Sequence, residues 1–121
     1  MKTVLVVEDV ESERKLIAAL LTQAGFEVAL ADNVESAWQW LEVHPQPNLI
    51  VLDIVMPDRS GLELCRLIRA TPHLQKIPVV FCSHRNQESD RFWALRQGGN
   101  AYISKPFAPK QLLETALRYA N

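Results

Sequence analysis

The sequence has 121 residues and a formal net charge of −1, with 48% hydrophobic and 22% charged residues. This is the size of one globular domain with a sizeable core, and the balanced charge argues against a nucleic-acid partner. No apolar run reaches the roughly 18 residues of a membrane span, so we expect no membrane partner either.

The N-terminus and the cysteines both indicate a cytoplasmic protein. The apolar run after Met1 is short and ends at Glu8 and Asp9, which does not fit a signal peptide. The cysteines, Cys65 and Cys82, lie inside apolar stretches and form neither a CxxC nor a metal-binding pattern. We expect both to be buried free thiols in a reducing compartment.

Short apolar runs rich in β-branched residues alternate with helical patterns along the chain. Their apolar residues continue without strict polar alternation, which predicts strands that are covered on both faces of a parallel sheet. The predicted strands are Val4–Val7, Val28–Ala31, Leu49–Leu52, Val79–Cys82 and Ala101–Ile103.

Each predicted strand is followed by residues at helical spacing. Gly25 is expected to end the first helix, and Gly98-Gly99 the fourth. Trp38 and Trp40 are two positions apart and cannot both face the core, so either one is exposed as a contact surface or both are crowded together. The helical stripes are Leu16, Ile17, Leu20 and Leu21; Val34, Ala37, Trp38 and Leu41; Leu62, Leu64, Cys65, Leu67 and Ile68; Phe92, Trp93, Leu95 and Arg96; and Leu112, Leu113, Ala116 and Leu117.

The order of elements is therefore strand–helix repeated five times. Parallel strands joined by right-handed crossover helices form a doubly wound α/β domain, with helices on both faces of the sheet. Such sheets bind ligands beyond the carboxyl ends of their strands. We expect one domain over residues 1–121 and no output domain, because the sequence stops about one helix after the fifth strand.

Polar residues stand where four of the predicted strands end. Glu8 and Asp9 follow the first strand, Asp53 the third, Ser83 the fourth and Lys105 the fifth. Carboxylates at one sheet edge repel one another, and Mg²⁺, which prefers oxygen ligands, relieves that repulsion. A lysine and a hydroxyl nearby complete a site for a phosphoryl group, for which an aspartate is a known type of nucleophile.

Each of these residues also has a purely structural interpretation. Asp9 could cap the first helix, and Asp53 could be a turn residue. Ser83 could cap the fourth helix, and Lys105 could be a solvated loop lysine. Residue by residue the two interpretations are comparable, but their joint occurrence at one predicted edge favours the functional one.

Several stretches resemble the successive motifs of CheY-like receiver domains of response regulators. They are VLVVED at 4–9, LDIVMP at 52–57 with Gly61, Ser83, and YISKPF at 102–107. The resemblance covers essentially the whole chain and implies the flavodoxin- and CheY-like topology, a five-stranded parallel sheet in the order 2-1-3-4-5. It also implies a signalling protein and not an enzyme, which catalyses only its own phosphoryl transfer and slow dephosphorylation.

The resemblance implies a role for each site residue. Asp53 would accept a phosphoryl group from a histidine kinase or phosphotransfer protein of a two-component phosphorelay. Asp9, Asp53 and the backbone carbonyl of Val55 would bind Mg²⁺, for which Mn²⁺ can substitute, and Glu8 would act mostly through water. Lys105 would pair with the phosphoryl oxygens.

A conformational switch is part of the same resemblance. Ser83 would hydrogen-bond to the phosphoryl group, Tyr102 would turn inward as Ser83 moves, and the peptide bond before Pro106 would be cis. The face made by the fourth helix, fifth strand and fifth helix would then shift between two conformations. A downstream protein would bind that face of a monomer or weak dimer.

A narrower resemblance lies in residues 86–98, NQESDRFWALRQG. They are similar to the corresponding helix of single-domain regulators from type IV pilus and twitching-motility systems, of the PilH and PilG type. This implies a role in motility or chemotaxis-type signalling. The alternative is that Trp93 simply packs against the sheet and the polar residues form its solvated face.

Two positions depart from the usual receiver pattern. His84 stands where a small residue is usual, so it either restricts access to the phosphoryl group or swings out as a surface residue. Val55 cannot orient a water molecule by hydrogen bonding, so we expect slow self-hydrolysis of the phosphorylated form.

Three other functions are weighed against phosphorylation. The first is an unphosphorylated pseudo-receiver that serves as a protein-interaction module, against which the intact Asp9, Asp53, Ser83 and Lys105 argue. A phosphohydrolase would need a second acid two residues after the nucleophile, where Val55 stands. A nucleotide-binding domain would need a glycine-rich loop after the first strand, where the sequence has acids instead.

Overall fold

The computed structural model describes residues 1–120, in which five strands alternate with five helices. The strands are β1 (Thr3–Val7), β2 (Glu27–Ala31), β3 (Leu49–Leu52), β4 (Val79–Ser83) and β5 (Ala101–Ser104). The helices are α1 (Glu11–Gln23), α2 (Val34–Val43), α3 (Gly61–Ala70), α4 (Glu88–Arg96) and α5 (Pro109–Tyr119). Every predicted strand is confirmed, with ends that differ by one residue at most. None of the helices in this part of the chain is long and apolar enough to cross a bilayer.

All strand pairs are parallel, and the predicted order β2-β1-β3-β4-β5 is confirmed. In the register of the sheet, Val7 of β1 lies beside Leu52 of β3, and Leu52 lies beside Phe81 of β4. The carboxyl ends of β1 and β3 are therefore level with each other. These two strands are sequence-distant neighbours, and the crevice between their ends is where open sheets of this kind bind ligands.

The sheet separates two apolar clusters. Val4 and Val6 of β1 point toward α1 and α5, where they meet Ile17 and Leu112. The alternate residue Leu5 points toward α2 and α3. Burial on both faces explains why the strands are continuously apolar and why they could be recognised from the sequence.

The fourth helix differs from its prediction. Phe92, Trp93 and Leu95 are exposed by 51%, 54% and 40%, whereas Ala94 is buried. The half-buried Asp90, one turn before Ala94, shares the inner side of the helix. The predicted apolar stripe is therefore wrong, and so is the interpretation that Trp93 packs against the sheet, because the smallest side chain and not the largest lies inward.

The predicted inward orientation of two further apolar residues is also wrong, since Leu16 of α1 and Leu117 of α5 are exposed by 52% and 64%. The expectation of one exposed tryptophan in α2 is also wrong. Trp38 and Trp40 are both partly buried and pack against the same core cluster, and the ring of Trp40 stacks on His44 with centroids 4.4 Å apart. Crowded packing is therefore the alternative that the structure supports.

The predicted burial of both cysteines is confirmed, and both are free thiols. Burial raises the pKa of Cys65 to about 11 and that of Cys82 to about 12. Because the thiolate is the reactive form, we expect iodoacetamide at about pH 8 to leave the native protein unmodified and to alkylate each cysteine after unfolding. Intact mass measures both results. Rapid alkylation of native protein would contradict the burial.

Candidate functional site

The polar residues at the strand ends meet at the carboxyl edge of the sheet. Within residues 1–120, the polar or charged residues that are buried are Glu8, Asp53, Ser83 and Lys105. Each of them was predicted from its position at the end of a strand. A buried charge is costly unless it is paired, and groups of buried charges are typical of functional sites.

Three carboxylates form the acidic part of the site. One oxygen each from Glu8, Asp9 and Asp53 lies within 4.8 Å of the others. Asp9 is not a helix cap, because α1 is preceded by Val10 as N-cap and has no side-chain cap hydrogen bond. Asp53 does make a turn, in which its Oδ1 accepts from the N–H of Val55 at 3.3 Å. The oxygen-only donor set fits a hard divalent cation such as Mg²⁺.

Lys105 is the counter-charge of this acidic group and is not a solvated loop lysine, since it is only 5% exposed. Its ammonium donates to Glu8 and, at 3.0 Å, to Oδ2 of Asp53. It also forms an ion pair with Glu13 at 3.2 Å. The sequence analysis did not identify Glu13, which lies in the first turn of α1, four residues after Asp9.

The burial of the site shifts its protonation equilibria. Burial raises the pKa of Glu8 to about 7, and the hydrogen bond from Lys105 offsets this only in part. Burial alone would lower the pKa of Lys105, but the hydrogen bond to Glu8 and the charge of Asp53 raise it instead. Lys105 therefore remains charged, whereas burial opposes the ionisation of Glu8.

Ser83 and Tyr102 are connected through the backbone of Arg85. The N–H of Arg85 donates to Oγ of Ser83 at 3.2 Å, and the hydroxyl of Tyr102 donates to the Arg85 carbonyl at 2.6 Å. Tyr102 is buried, so its ring lies inward in this structure. Ser83 does not cap the fourth helix, because α4 begins at Glu88 with Gln87 as its N-cap. A side-chain hydrogen bond also links Ser83 with Tyr102.

A cleft of about 340 Å³ opens over Asp53. Its walls come from the segment after β1, the segment after β3 and the end of β4, and they include Asp9, Val10, Glu13, Val55, Ser83, His84 and Arg85. The half-exposed, apolar side chain of Val55 lies at this cleft. The space is large enough for a tetrahedral anion beside the Asp53 carboxylate. Next to the buried Lys105, the expected cis peptide bond between Lys105 and Pro106 is confirmed.

The chain packs closely behind the cleft. The N–H of Gly61, the first residue of α3, donates to the carbonyl of Ile54 at 2.8 Å. A Cβ atom on Gly61 would overlap the backbone carbonyl oxygen of Asp53 and lie 3.2 Å from Cα of Ile54. Gly61, which follows the LDIVMP motif, is therefore required because two backbone segments approach each other closely here.

Known proteins are similar to this chain in sequence. Residues 4–117 match the family model of the response regulator receiver domain. The phosphate regulon transcriptional regulatory protein PhoB of Klebsiella pneumoniae is 38% identical over 112 residues, which are 93% of this chain and 48% of that protein. The chain thus spans about half the length of this relative.

Solved structures agree with the sequence relatives. The chemotaxis response regulator CheY4 of Vibrio cholerae superposes with a TM-score of 0.91 at 26% identity, covering 98% of both chains. The Mn²⁺-bound form of the response regulator Rcp1 superposes with a TM-score of 0.82 at 28% identity, covering 95% of this chain and 88% of that one. Together with its acidic cluster and buried lysine, these matches show that the chain belongs to the response regulator receiver domain family, the CheY-like signalling modules of two-component systems.

Proposed function

We propose that Asp53 accepts a phosphoryl group from a histidine kinase or phosphotransfer protein, in a reaction that depends on Mg²⁺. The observation that carries this proposal is the position of the Asp53 carboxylate. It lies at a cleft of about 340 Å³, with the Lys105 ammonium 3.0 Å from Oδ2 and the carboxylates of Glu8 and Asp9 close by. A nucleophile, a fixed cation and a set of metal ligands thus surround one anion-sized space.

In the proposed reaction a carboxylate oxygen of Asp53 attacks the phosphorus atom of a phosphohistidine. The P–N bond breaks, its electron pair stays on the imidazole nitrogen, and that nitrogen takes up a proton. Lys105 pairs with a phosphoryl oxygen, and the hydroxyl of Ser83 donates to another. Val55 offers no polar atom from its side chain to orient a hydrolytic water, so the acyl phosphate is expected to be long-lived.

A divalent cation completes the proposed site. Asp9, Asp53 and the backbone carbonyl of Val55 would hold Mg²⁺, with Glu8 acting mostly through water. The cation would supply positive charge to the phosphoryl oxygens. Mn²⁺ is the proposed substitute, since the similar regulator Rcp1 has an Mn²⁺-bound form.

Phosphorylation is proposed to reach the surface through the backbone of Arg85. When the Ser83 hydroxyl turns to the phosphoryl group, the N–H of Arg85 loses its acceptor, and the carbonyl of the same residue holds the Tyr102 hydroxyl. The position of Tyr102 and the segment before α4 are therefore coupled to Ser83 as a population shift. The face made by α4, β5 and α5 would bind the downstream protein.

The biological setting is a finer part of the proposal. We infer that residues 4–117 act as a receiver domain in a cytoplasmic monomer or weak dimer. Similarity over 98% of both chains to the chemotaxis regulator CheY4 supports a signalling role for this domain. The resemblance of residues 86–98 to twitching-motility regulators supports a role in motility signalling.

The proposal is tested with a small phosphodonor. Acetyl phosphate with MgCl₂ is expected to add one phosphoryl group to the protein by intact mass, and Asp53→Asn is expected to abolish the adduct because the amide is not a nucleophile. Chelation of Mg²⁺ by EDTA should also abolish it. Asp58→Asn is the matched control, because Asp58 lies outside the cleft and accepts from the N–H groups of Val34 and Glu35 at 3.1 and 3.0 Å.

Two results would overturn the proposal. An adduct that persists in Asp53→Asn would place the phosphoryl group elsewhere. A wild-type protein that forms no Mg²⁺-dependent adduct with acetyl phosphate or phosphoramidate would instead be an unphosphorylated interaction module.

A further inference from the structure

His84 follows Ser83 at the end of β4 and makes a contact that crosses to α1. Its Nε2 lies 2.6 Å from Oε1 of Glu13. The imidazole is 64% exposed and the Glu13 side chain 25% exposed. Since an ionised carboxylate only accepts hydrogen bonds, Nε2–H is the donor in this pair. His84 is thus an exposed side chain that contacts α1, and it also lines the cleft over Asp53.

The oxygen of Glu13 that accepts from His84 also faces the buried lysine, since Oε1 lies 3.2 Å from Nζ of Lys105. Lys105 is thus shared by three carboxylates, those of Glu8, Asp53 and Glu13. An ammonium group has only three N–H donors. A phosphoryl group that needs Lys105 must therefore compete with a carboxylate that is not itself the phosphoacceptor.

The negative charge added by phosphorylation increases the need for Lys105 as a partner of the phosphoryl group. Phosphorylation replaces the single charge of Asp53 by about −1.5 to −2 charges, beside Glu8, Asp9 and Glu13. A carboxylate that is engaged by a second donor holds Lys105 less strongly, because its charge is shared between two partners. The hydrogen bond from His84 thereby weakens the hold of Glu13 on Lys105.

Few cationic side chains other than Lys105 and His84 are available to the carboxylate of Glu13. Glu13 and His84 form a wall common to the cleft over Asp53 and to a second cavity of about 150 Å³. The rest of the second cavity is largely apolar, with Leu16, Ile17, Pro106 and Phe107 around Lys105. The nearby cation of α1, Arg14, is occupied by the backbone carbonyls of Glu8 and Asp9 at 2.9 and 3.3 Å. If His84 is removed, Lys105 is the remaining partner of Oε1 of Glu13 among these contacts.

We propose that His84 is a positioning residue for phosphorylation, which weakens the competition of Glu13 with the phosphoryl group for Lys105. The inference rests on the proposed function of Asp53 and adds two residues to it. It gives His84 a favourable role, opposite in sign to that of a steric obstacle. The role of His84 is conditional, because it exists only while Glu13 carries its negative charge.

The test is a double-mutant cycle with His84→Ala, Glu13→Gln and the double variant. The initial rate of phosphorylation by acetyl phosphate in MgCl₂ is followed by intact mass. His84→Ala is expected to slow the reaction about tenfold, the effect of one charge-assisted hydrogen bond. Glu13→Gln should react at least as fast as wild type. The double variant should match Glu13→Gln, because there is then no charge for His84 to hold.

Two further readouts separate positioning from a merely structural role. His84→Gln, whose side-chain amide can also donate, is expected to keep most of the wild-type rate. Phosphoramidate carries less negative charge than acetyl phosphate, so the loss in His84→Ala should be smaller with this donor. Thermal unfolding of each variant provides the check that it is folded.

The outcomes are distinct. If His84→Ala reacts faster than wild type, and the double variant reacts faster than Glu13→Gln, then His84 is a steric obstacle and the inference is wrong. An unchanged rate in His84→Ala overturns it as well, while Asp53 stands as the phosphoacceptor. If wild type forms no adduct with either donor, the proposed function fails, and the inference fails with it.

Discussion

Replacing Lys105 with methionine is expected to lower the free energy of unfolding by about 3 kcal/mol near neutral pH in Mg²⁺-free buffer. The variant leaves Glu8 and Asp53 buried beside each other without the ammonium that hydrogen-bonds to both. Removing one partner from a buried ionic group leaves the other charges uncompensated, which is the source of the loss. Urea unfolding followed by circular dichroism measures it.

The loss in this variant should depend on pH with a definite sign. Burial already raises the pKa of Glu8 to about 7, and without Lys105 that pKa rises further. A carboxyl whose folded-state pKa is raised contributes stability below its unfolded pKa and loses that contribution as the pH rises through the folded pKa. The penalty of Lys105→Met should therefore be small near about pH 4.5 and increase as the pH rises through and beyond about 7.

Two comparisons make the Lys105 result specific. Lys110→Met is the matched control, because Lys110 is exposed on α5 and its ion pair with Glu114 is long, at 3.7 Å. It should change stability by less than about 0.5 kcal/mol. Adding Glu8→Gln to Lys105→Met should recover part of the loss, since it removes one of the stranded charges. Equal losses for the two lysine variants would show that Lys105 does not balance the acidic group.

A second large effect is expected for Gly61→Ala. The new Cβ atom would overlap the carbonyl oxygen of Asp53, and a backbone atom cannot move aside as the end of a flexible side chain can. We expect the variant to lose about 3 kcal/mol of stability and to displace Asp53 from Lys105. Mg²⁺-dependent phosphorylation should then fall by more than about tenfold, since small misplacements of reacting groups have effects of this size. Urea unfolding and intact mass measure the two effects.

Gly25→Ala provides the control for this variant. Gly25 has a φ of +96° in the turn after α1, and a Cβ there would meet no atom within 4 Å. Alanine should cost about 1–2 kcal/mol through backbone strain alone, and the phosphorylation rate should stay that of wild type. A Gly61→Ala protein that is phosphorylated as fast as Gly25→Ala would show that Asp53 keeps its place.

The strands and the central site residues could be predicted because each depends on one local pattern. A strand covered on both faces is continuously apolar, so β3 could be recognised with its bounds. In an open parallel sheet the strand ends gather at one edge, so Asp53 and Lys105 could be brought together from sequence positions 52 residues apart. These inferences require no knowledge of how the helices are rotated.

The features that the sequence did not reveal all depend on helix rotation or loop path. Large apolar residues in α4 were expected inside, but Ala94 is the buried one, because residue size says little about which side of a short helix meets the sheet. Glu13 joins the site only because α1 turns that side toward Lys105. The bond from Tyr102 to the Arg85 carbonyl involves a backbone atom, which every residue type has, so no letter in the sequence indicates it.

The inward placement of Ala94 has a mechanical consequence for the molecule. The methyl group of Ala94 is the buried apolar side chain of α4, whereas α3 is fastened to the sheet by Leu64, Cys65 and Ile68. Because apolar attachment scales with the area removed from water, α4 can tilt or slide while little of that area is re-exposed. We therefore expect the helix that carries the exposed Phe92 and Trp93 to shift more easily than α3 when the segment before it rearranges.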